Sequence, residues 1–224
     1  TSGDFDVNNF IMSKAALKFP GIGVLSEESP DQFNPEEFQK ILIVDPIDGT
    51  RWYKDGGEIW SINLALVENN EIRSAVIFQP DLSVITFTEK GLGAFCQKGG
   101  KVTQIRTNPE SDLSKVKVGI GTIFTEANSQ DEISKLAQQL FIQSRGLNIM
   151  ESSGCELAFI ARGVSISAYI HPYAKPWDKA AGMLIIDEAG GVATGWPGKN
   201  ALFENGVLAA STLALYDKIS ELVT

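Results

Sequence analysis

Two aspartates in the 224-residue sequence, Asp45 and Asp48, are well placed to do chemistry, because they stand three residues apart at the end of an apolar run. The run, Ile41–Val44, predicts a buried strand, and Pro46 is expected to turn the chain directly after it. Two carboxylates and an intervening backbone carbonyl can converge on a hard divalent cation, which prefers oxygen ligands. The alternative is an Asp-rich turn without a ligand, since Asp, Pro and Gly are common in turns. The fully apolar strand tip favours the metal site.

Gly49 and Thr50 follow the second aspartate and are expected to open a helix. Their amide N–H groups would then face outward, in the position where helix N-termini hold phosphate oxygens. The segment 45–50 therefore offers a cation site and a phosphate site side by side.

Other acidic positions carry weaker signals. The pair Glu27-Glu28 follows a short apolar segment, and an exposed acidic pair is usually solvated surface. Asp178 is placed to N-cap a helix over 178–189, and the Ala-Ala-Gly in its first turn admits a second backbone or a ligand. Asp4 by itself predicts nothing.

Composition excludes several classes of protein. The 19 basic and 28 acidic side chains give a net charge of −9, which lacks the basic footprint of a nucleic-acid-binding protein and repels anionic lipid. A single histidine, His171, excludes zinc sites built on several histidines, and two distant cysteines exclude a disulfide framework. The sequence shows no apolar run of membrane-spanning length and no signal-peptide pattern, so we expect a cytoplasmic protein without a membrane partner.

Alternating helices and strands must position these side chains. Periodicity predicts a helix over 7–19, strands between about 58 and 106, and alternating helices and strands in the second half of the chain. The fold class is therefore mixed α/β. If the chain forms two lobes, we expect their boundary near residue 142.

Taken together, these segments resemble the inositol monophosphatase superfamily of magnesium-dependent, lithium-sensitive phosphatases. The resemblance runs from Asp4 to the C-terminus and keeps the order and approximate spacing of the family's motifs. The matching segments are Ser26-Glu27-Glu28, Asp45-Pro46-Ile47-Asp48-Gly49-Thr50, and Trp177-Asp178-Lys179-Ala180-Ala181-Gly182 with Glu188-Ala189-Gly190-Gly191.

The resemblance implies a layered αβαβα sandwich of the inositol monophosphatase and fructose-1,6-bisphosphatase type, assembled as a homodimer. It implies an N-terminal α+β lobe, residues 1–141, that carries most metal ligands. A C-terminal α/β lobe, residues 142–224, would carry Asp178 and the substrate contacts. The implied cofactor is Mg²⁺, as two or three ions, and the implied partner is a small phosphorylated metabolite.

The resemblance also assigns individual residues. The implied metal ligands are Asp4, Glu27, Asp45, the backbone carbonyl of Ile47, Asp48 and Asp178, of which Asp4 would support a third, weaker ion. The implied catalytic group is Glu27, Asp45 and Thr50, in which Thr50 and Glu27 orient the attacking water. The implied substrate contacts are Gly49, Thr50, Gly154, Cys155, Glu156, His171 and Asp178.

The substrate within this class stays open. The spacing from Asp48 to Asn63 looks like the 3′(2′),5′-bisphosphate nucleotidase branch. His171 stands seven residues before Asp178, where inositol-specific members usually carry a glutamate, and a histidine at a strand end without a ligand is an equal alternative. We expect hydrolysis of a bisphosphonucleotide or of inositol monophosphate by metal-activated water. The alternatives are a sugar-phosphate phosphatase such as fructose-1,6-bisphosphatase, and a catalytically weak regulatory relative that binds protein.

Overall fold

The structure is a computed structural model that describes residues 1–30, 33–121, 130–196 and 202–223. The helices in these residues are α1 (Ser2–Lys18), α2 (Thr50–Lys54), α3 (Gln130–Gln143), α4 (Ser153–Ala161), α5 (Pro176–Glu188) and α6 (Leu213–Val223). The strands are β1 (Gly23–Ser26), β2 (Lys40–Asp48), β3 (Ser61–Glu68), β4 (Glu71–Gln79), β5 (Val84–Glu89), β6 (Ala94–Lys98), β7 (Lys101–Ile105), β8 (Lys117–Ile120), β9 (Gly146–Asn148), β10 (Ala168–His171), β11 (Val192–Thr194) and β12 (Val207–Ala210). None of the described helices is long and apolar enough to cross a lipid bilayer.

The first sheet contains β1 to β7 in chain order, with β1 parallel to β2 and each later pair antiparallel. Along β3 every second residue is buried, as expected for a strand with one face on the core. The buried face carries Ser61 and Asn63 at one end and Ala65 and Val67 at the other. One end of this face is therefore polar, and the other belongs to the apolar core.

Helices α4 and α5 form the middle layer, where α5 contacts β3 and β4 of the first sheet and β11 and β12 of the second. Both helices are buried over most of their length and contribute to the larger apolar core. Gly182 of α5 lets the two helices approach closely, because a Cβ there would lie 2.4 Å from Leu157 Cδ1. The small residues at the start of α5 therefore admit a neighbouring helix, as predicted.

The second sheet has the strand order β11-β12-β10-β8-β9. Strand β10 lies between two apolar cores. Tyr169 packs into the core of the middle layer, and its neighbour Ile170 packs into the core shared with α3 and α6. Helix α1 packs on β2 of the first sheet. The layers follow in the order α, β, α, β, α, which confirms the predicted sandwich. The lobe boundary near residue 142 stays a prediction.

Two elements beside the candidate site differ from the sequence prediction. Helix α1 begins at Ser2 and not at residue 7, so Asp4 lies in its first turn. Strand β2 does not end at Asp45 but continues through Pro46 to Asp48, with a shift in register between the two aspartates. A proline is tolerated at such a bulge because the bulged position donates no ladder hydrogen bond.

Candidate metal centre

Three carboxylates from two distant parts of the chain meet at the polar end of the first sheet. Asp45 and Asp48 come from β2, and Asp178 comes from the first turn of α5. One carboxylate oxygen of each residue lies within 4.8 Å of the other two. Asp45 and Asp48 are buried, and Asp178 is partly buried. The structure thus brings together the side chains of half of the predicted metal ligands.

A bulge in β2 puts the two strand aspartates on the same side of the sheet. In a regular strand, residues three positions apart point to opposite faces. Here Asp45 pairs with Asn63 and Asp48 pairs with Ser61, so three steps along β2 match two steps along β3. The extra residue in β2 compensates for the odd spacing of the two aspartates. Both therefore point to the same face of the sheet as Ser61 and Asn63. The register shift is therefore what turns the end of this strand into a cluster.

Asp48 is held by hydrogen bonds from the protein. Its carboxylate accepts from the hydroxyls of Ser61 (3.1 Å) and Ser152 (2.6 Å) and from the backbone amides of Ser153 (3.1 Å) and Gly154 (2.7 Å). The two amides belong to the first turn of α4, where N–H groups lack a partner inside the helix and favour a negative charge. Burial raises the pKa of Asp48, although these hydrogen bonds act in the opposite direction.

Asp45 has no comparable support. Its Oδ1 is buried and has no hydrogen-bond partner among the described residues. Burial raises the pKa of Asp45 well above its usual value, and the nearby carboxylates of Asp48 and Glu27 raise it further. A buried carboxylate oxygen without a partner costs free energy, and a divalent cation beside two further carboxylates would satisfy it. The residues present therefore fit a divalent cation.

Asp178 enters the cluster through the capping of α5. Its Oδ2 accepts a hydrogen bond from the backbone N–H of Lys175 (2.6 Å), which is the N-cap residue. Asp178 is therefore the third residue of the helix and not the N-cap that the sequence suggested. Burial raises the pKa of Asp178 to about 8, and the charge of Asp48 contributes to the shift. The capping bond fixes this carboxylate beside the two from β2.

Glu27 and Asp4 lie at the edge of the cluster. Glu27 follows β1, and its carboxyl group is near enough to that of Asp45 for its charge to raise the pKa of Asp45. Glu27 as a whole residue is exposed, but desolvation of its carboxyl group raises its pKa to about 7, and the charge of Asp48 adds to the shift. Asp4 is buried, and its carboxylate lies 2.6 Å from the backbone nitrogen of Thr1. A role of Asp4 as the ligand of a third ion stays a prediction.

The start of α2 carries the predicted phosphate-binding groups. Gly49 is its N-cap, with φ +87° and no side-chain cap, so the first-turn N–H groups are left to other acceptors. A Cβ at Gly49 would lie 2.8 Å from the carbonyl oxygen of Ile59 and 3.0 Å from Cβ of Ser152, so only glycine fits. The Thr50 hydroxyl donates to the carbonyl of Ile47 (3.1 Å). This bond ties the helix start to the backbone carbonyl that is predicted to bind metal.

The predicted substrate segment, Gly154 to Glu156, is buried in the first turns of α4. Space requires glycine at position 154, because a Cβ there would lie 2.3 Å from Asn63 Oδ1. Burial raises the pKa of the Cys155 thiol to about 11, so the thiol is protonated at neutral pH. Burial likewise raises the pKa of Glu156 to about 9, which keeps its carboxyl group neutral. The Cys155 and Glu156 side chains are buried, so their contact with a substrate stays a prediction.

His171 ends β10 and lies on a hydrogen-bonded path that leads to Asp48. The Tyr169 hydroxyl is 3.4 Å from Nδ1 of His171 and 2.8 Å from the hydroxyl of Ser153. The backbone amide of Ser153 in turn donates to Asp48. Burial lowers the pKa of His171 to about 4, so its ring is neutral at pH 7. The structure therefore links His171 to the cluster, while its contact with a substrate stays a prediction.

Sequence reasoning missed the serines that hold Asp48, at positions 61, 152 and 153. One signal could have identified the first of them. Ser61 and Asn63 occupy alternate positions of β3, whose other core-facing residues are apolar. Polar residues on the core face of a strand indicate a buried hydrogen-bonding partner, because burial without a partner is costly.

Comparison with known proteins identifies relatives of this chain. The sequence matches the inositol monophosphatase family over residues 1–224. It is 27% identical over 228 residues to the fructose-1,6-bisphosphatase/inositol-1-monophosphatase of Thermotoga maritima, with 99% of this chain and 83% of that protein covered. It is 31% identical over 191 residues to the Nus factor SuhB of Xylella fastidiosa, with 85% of this chain and 66% of that protein covered.

A solved structure shows the same fold. An IMPase of Thermotoga maritima superposes on this chain with a TM-score of 0.84 at 27% sequence identity, and 98% of this chain and 81% of that chain are covered. The layered architecture and the match along the whole sequence lead to one conclusion: the chain belongs to the inositol monophosphatase family.

Proposed function

We propose that the protein is a Mg²⁺-dependent phosphatase that hydrolyses a small phosphomonoester. One observation carries the proposal: Asp45, Asp48 and Asp178 converge within 4.8 Å, and the buried Oδ1 of Asp45 has no partner among the described residues. The name of the Thermotoga maritima relative, a bisphosphatase and monophosphatase, supports the reaction class.

The electrostatics of the cluster favour a bound cation. Burial, together with repulsion by neighbouring carboxylates, raises the pKa of both Asp45 and Asp178. Desolvated charges of one sign give no stability to the fold unless an opposite charge compensates them. A hard divalent cation supplies that charge, since carboxylate oxygens are its preferred ligands. Mg²⁺ is the cation typical of phosphate chemistry, because it is commonly bound by one or two carboxylates together with substrate phosphates.

Five of the six predicted ligands would form the proposed site. The residues that would hold the ions are Asp45, Asp48 and Asp178, joined by Glu27 and the carbonyl of Ile47. Bound there, Mg²⁺ would neutralise charge on the phosphate and lower the pKa of the attacking water. Hydrogen bonds from the first turn of α4 orient Asp48, in the way that outer contacts commonly orient metal ligands.

Gly49, Thr50 and Glu27 would act on the phosphate and the water. The first-turn N–H groups of α2 would bind phosphate oxygens, because the N-cap Gly49 has no side chain to occupy them. The Thr50 hydroxyl donates its hydrogen bond to the Ile47 carbonyl. Its lone pairs are therefore left to accept a hydrogen bond from the attacking water. Glu27, beside Asp45, would complete the orientation of that water.

We propose that inositol and sugar phosphates are better substrates than a bisphosphonucleotide. The nucleotide prediction depends on the segment after Asp48, in which Arg51 is the first cation. Arg51 is paired with Glu151 (2.9 Å), so its charge is partly neutralised and would attract a second phosphate less strongly. The name of the Thermotoga maritima relative also favours sugar and inositol phosphates.

A second candidate function is regulatory binding without catalysis. It is favoured by one observation, the name Nus factor given to the 31% identical relative from Xylella fastidiosa. The two functions differ in what they require of the carboxylate cluster. A binding protein needs no cation at Asp45, whereas phosphate hydrolysis by the proposed mechanism does.

Phosphate release from four substrates tests the proposal: inositol 1-phosphate, fructose 1,6-bisphosphate, adenosine 3′,5′-bisphosphate and histidinol phosphate. We expect turnover in Mg²⁺, almost none in EDTA, and inhibition by Li⁺. Asp45→Asn should abolish release, whereas the matched control Asp217→Asn, on an exposed position of α6, should not. Turnover that persists in EDTA would reject the mechanism. A folded protein that is inactive on all four substrates would favour regulatory binding.

A further inference from the structure

A cavity of about 320 Å³ lies at the opposite end of the second sheet's strands from His171. Its lining is formed by Asn108, residues 115–117, Arg145 and residues 163–167. Lys117 begins β8 and Ser167 directly precedes β10, and these two strands are parallel. The cavity therefore lies at the N-terminal ends of the strands, whereas His171 lies at the C-terminal end of β10 and is linked to the carboxylate cluster.

This cavity is basic although the protein is acidic. Three cations line it, Lys115, Lys117 and Arg145, and no acidic residue does so in the part of the chain that the structure describes. The net charge of the chain is −9, so a cavity lined only by positive charge departs from the average surface. Lys115 forms long ion pairs with Glu110 (3.8 Å) and Asp112 (3.5 Å). Within the described ranges, Lys117 and Arg145 form none.

Polar groups complete the lining of the basic cavity. The amide of Asn108 donates to the hydroxyl of Ser167 (3.2 Å), which fixes both side chains. Ser165 has φ +66°, and the N–H of Ile166 donates to the carbonyl of Val164 (2.8 Å) across it. Such a tight turn is rare for a residue with a side chain, and strained backbone is often found where a site needs a particular geometry.

We propose that the basic cavity binds the phosphate group of a small phosphorylated metabolite, at a site separate from the metal centre. Two cations that form no ion pair with any described residue, next to hydroxyl and amide donors, match the oxygens of a phosphate group. A volume of about 320 Å³ is larger than a lone ion needs and lies at the lower end of small-molecule pockets. The ligand binds here without a divalent cation, which separates this site from the carboxylate cluster.

Calorimetric titration with inorganic pyrophosphate, in EDTA, tests the proposal. Without a cation the carboxylate cluster repels anions, so binding in EDTA reports the basic cavity. We expect one site per chain, and binding about tenfold weaker or more in the double variant Lys117→Gln/Arg145→Gln. The matched control, Lys98→Gln/Lys101→Gln, removes two exposed cations from the β6–β7 hairpin and should bind as the unmodified protein does.

Three results would overturn the proposal: no binding by the unmodified protein, equal binding by the cavity variant and the control, or an equal loss in both variants. The last would show unspecific attraction to positive charge. All four replaced residues are exposed, so the variants are expected to fold. Circular dichroism and phosphate release in Mg²⁺ check the fold and the metal centre, and because the titration contains no metal, its outcome is independent of the proposed phosphatase activity.

Discussion

Asp45 and Asp48 stand on the same strand end, but their surroundings differ. On the Asp48 side, two serine hydroxyls and two backbone amides of α4 donate to the carboxylate. On the Asp45 side, one carboxylate oxygen is buried with no partner in the described part of the chain, and its charged neighbours are other carboxylates. The protein thus fixes one carboxylate through its own donors and leaves the other to a ligand.

The two aspartates are therefore expected to contribute differently to the stability of the fold and to the activity. The contacts of Asp48 join β2, β3 and α4, so they belong to the framework of the fold. Asp45 adds buried negative charge, which destabilises the protein when no cation is bound. Functional sites commonly cost stability in this way, and variants of the two aspartates can measure the cost.

The largest effect is expected for Asp45→Asn. The neutral amide cannot replace a carboxylate ligand, so the rate of phosphate release should fall about a thousandfold or more. In EDTA the same variant should be as stable as the unmodified protein or more stable, because a buried like charge has been removed. Initial rates in Mg²⁺ and urea denaturation in EDTA check the two parts. A variant that is inactive because it unfolds would contradict the comparison.

Asp48→Ala should cost about 2–4 kcal/mol of unfolding free energy in EDTA. The substitution leaves three buried donors without an acceptor, the Ser152 hydroxyl and two amides at the start of α4, while the Ser61 hydroxyl can still donate to Asn63 Oδ1 (2.9 Å). Asp45→Ala is the matched control and should cost far less, since Oδ1 of Asp45 has no partner among the described residues. Urea denaturation of both variants gives the comparison directly. If Asp45→Ala were the more damaging change, the two aspartates would have the opposite roles.

Stability in EDTA should fall as the pH rises from about 4 to about 8. Burial raises the pKa of Asp178 to about 8 and desolvation raises that of Glu27 to about 7, whereas both groups titrate near 4 in an unfolded chain. Between these values the folded state holds protons that the unfolded state has released, so the unfolding free energy decreases. Mg²⁺ should flatten the profile, because it stabilises the ionised carboxylates. Urea denaturation across this range, with EDTA or Mg²⁺, checks both slopes; a flat profile in EDTA would contradict the raised pKa values.

The sequence predicted the carboxylates of the site more fully than the way they are held. Asp45 and Asp48 are recognisable because their motif is local and follows an apolar strand. The bulge between them is not, since it depends on the pairing of β2 with β3. The bond from Ser152 to Asp48 joins positions 104 residues apart, a contact that no local pattern reports. The order of the layers followed from the family resemblance, while helix starts such as those of α1 and α5 were displaced by a few residues.

The smallest effect is expected for Tyr169→Phe, at the far end of the Asp48 side. The change removes the hydroxyl that lies 2.8 Å from Ser153 Oγ and 3.4 Å from Nδ1 of His171, and it keeps the buried ring. Asp48 is held by the amide of Ser153 and not by its hydroxyl, so the loss should cost about 1 kcal/mol of unfolding free energy and change kcat by less than about threefold.

A larger fall in kcat at unchanged stability would give the Tyr169 path a part in catalysis, and Ser153→Ala should then reproduce it, because that change breaks the same path from the other side. If Ser153→Ala left kcat unchanged, the effect of Tyr169→Phe would have to pass through His171 alone. The pair of variants therefore decides whether the support of Asp48 ends at the first turn of α4 or extends to the end of β10.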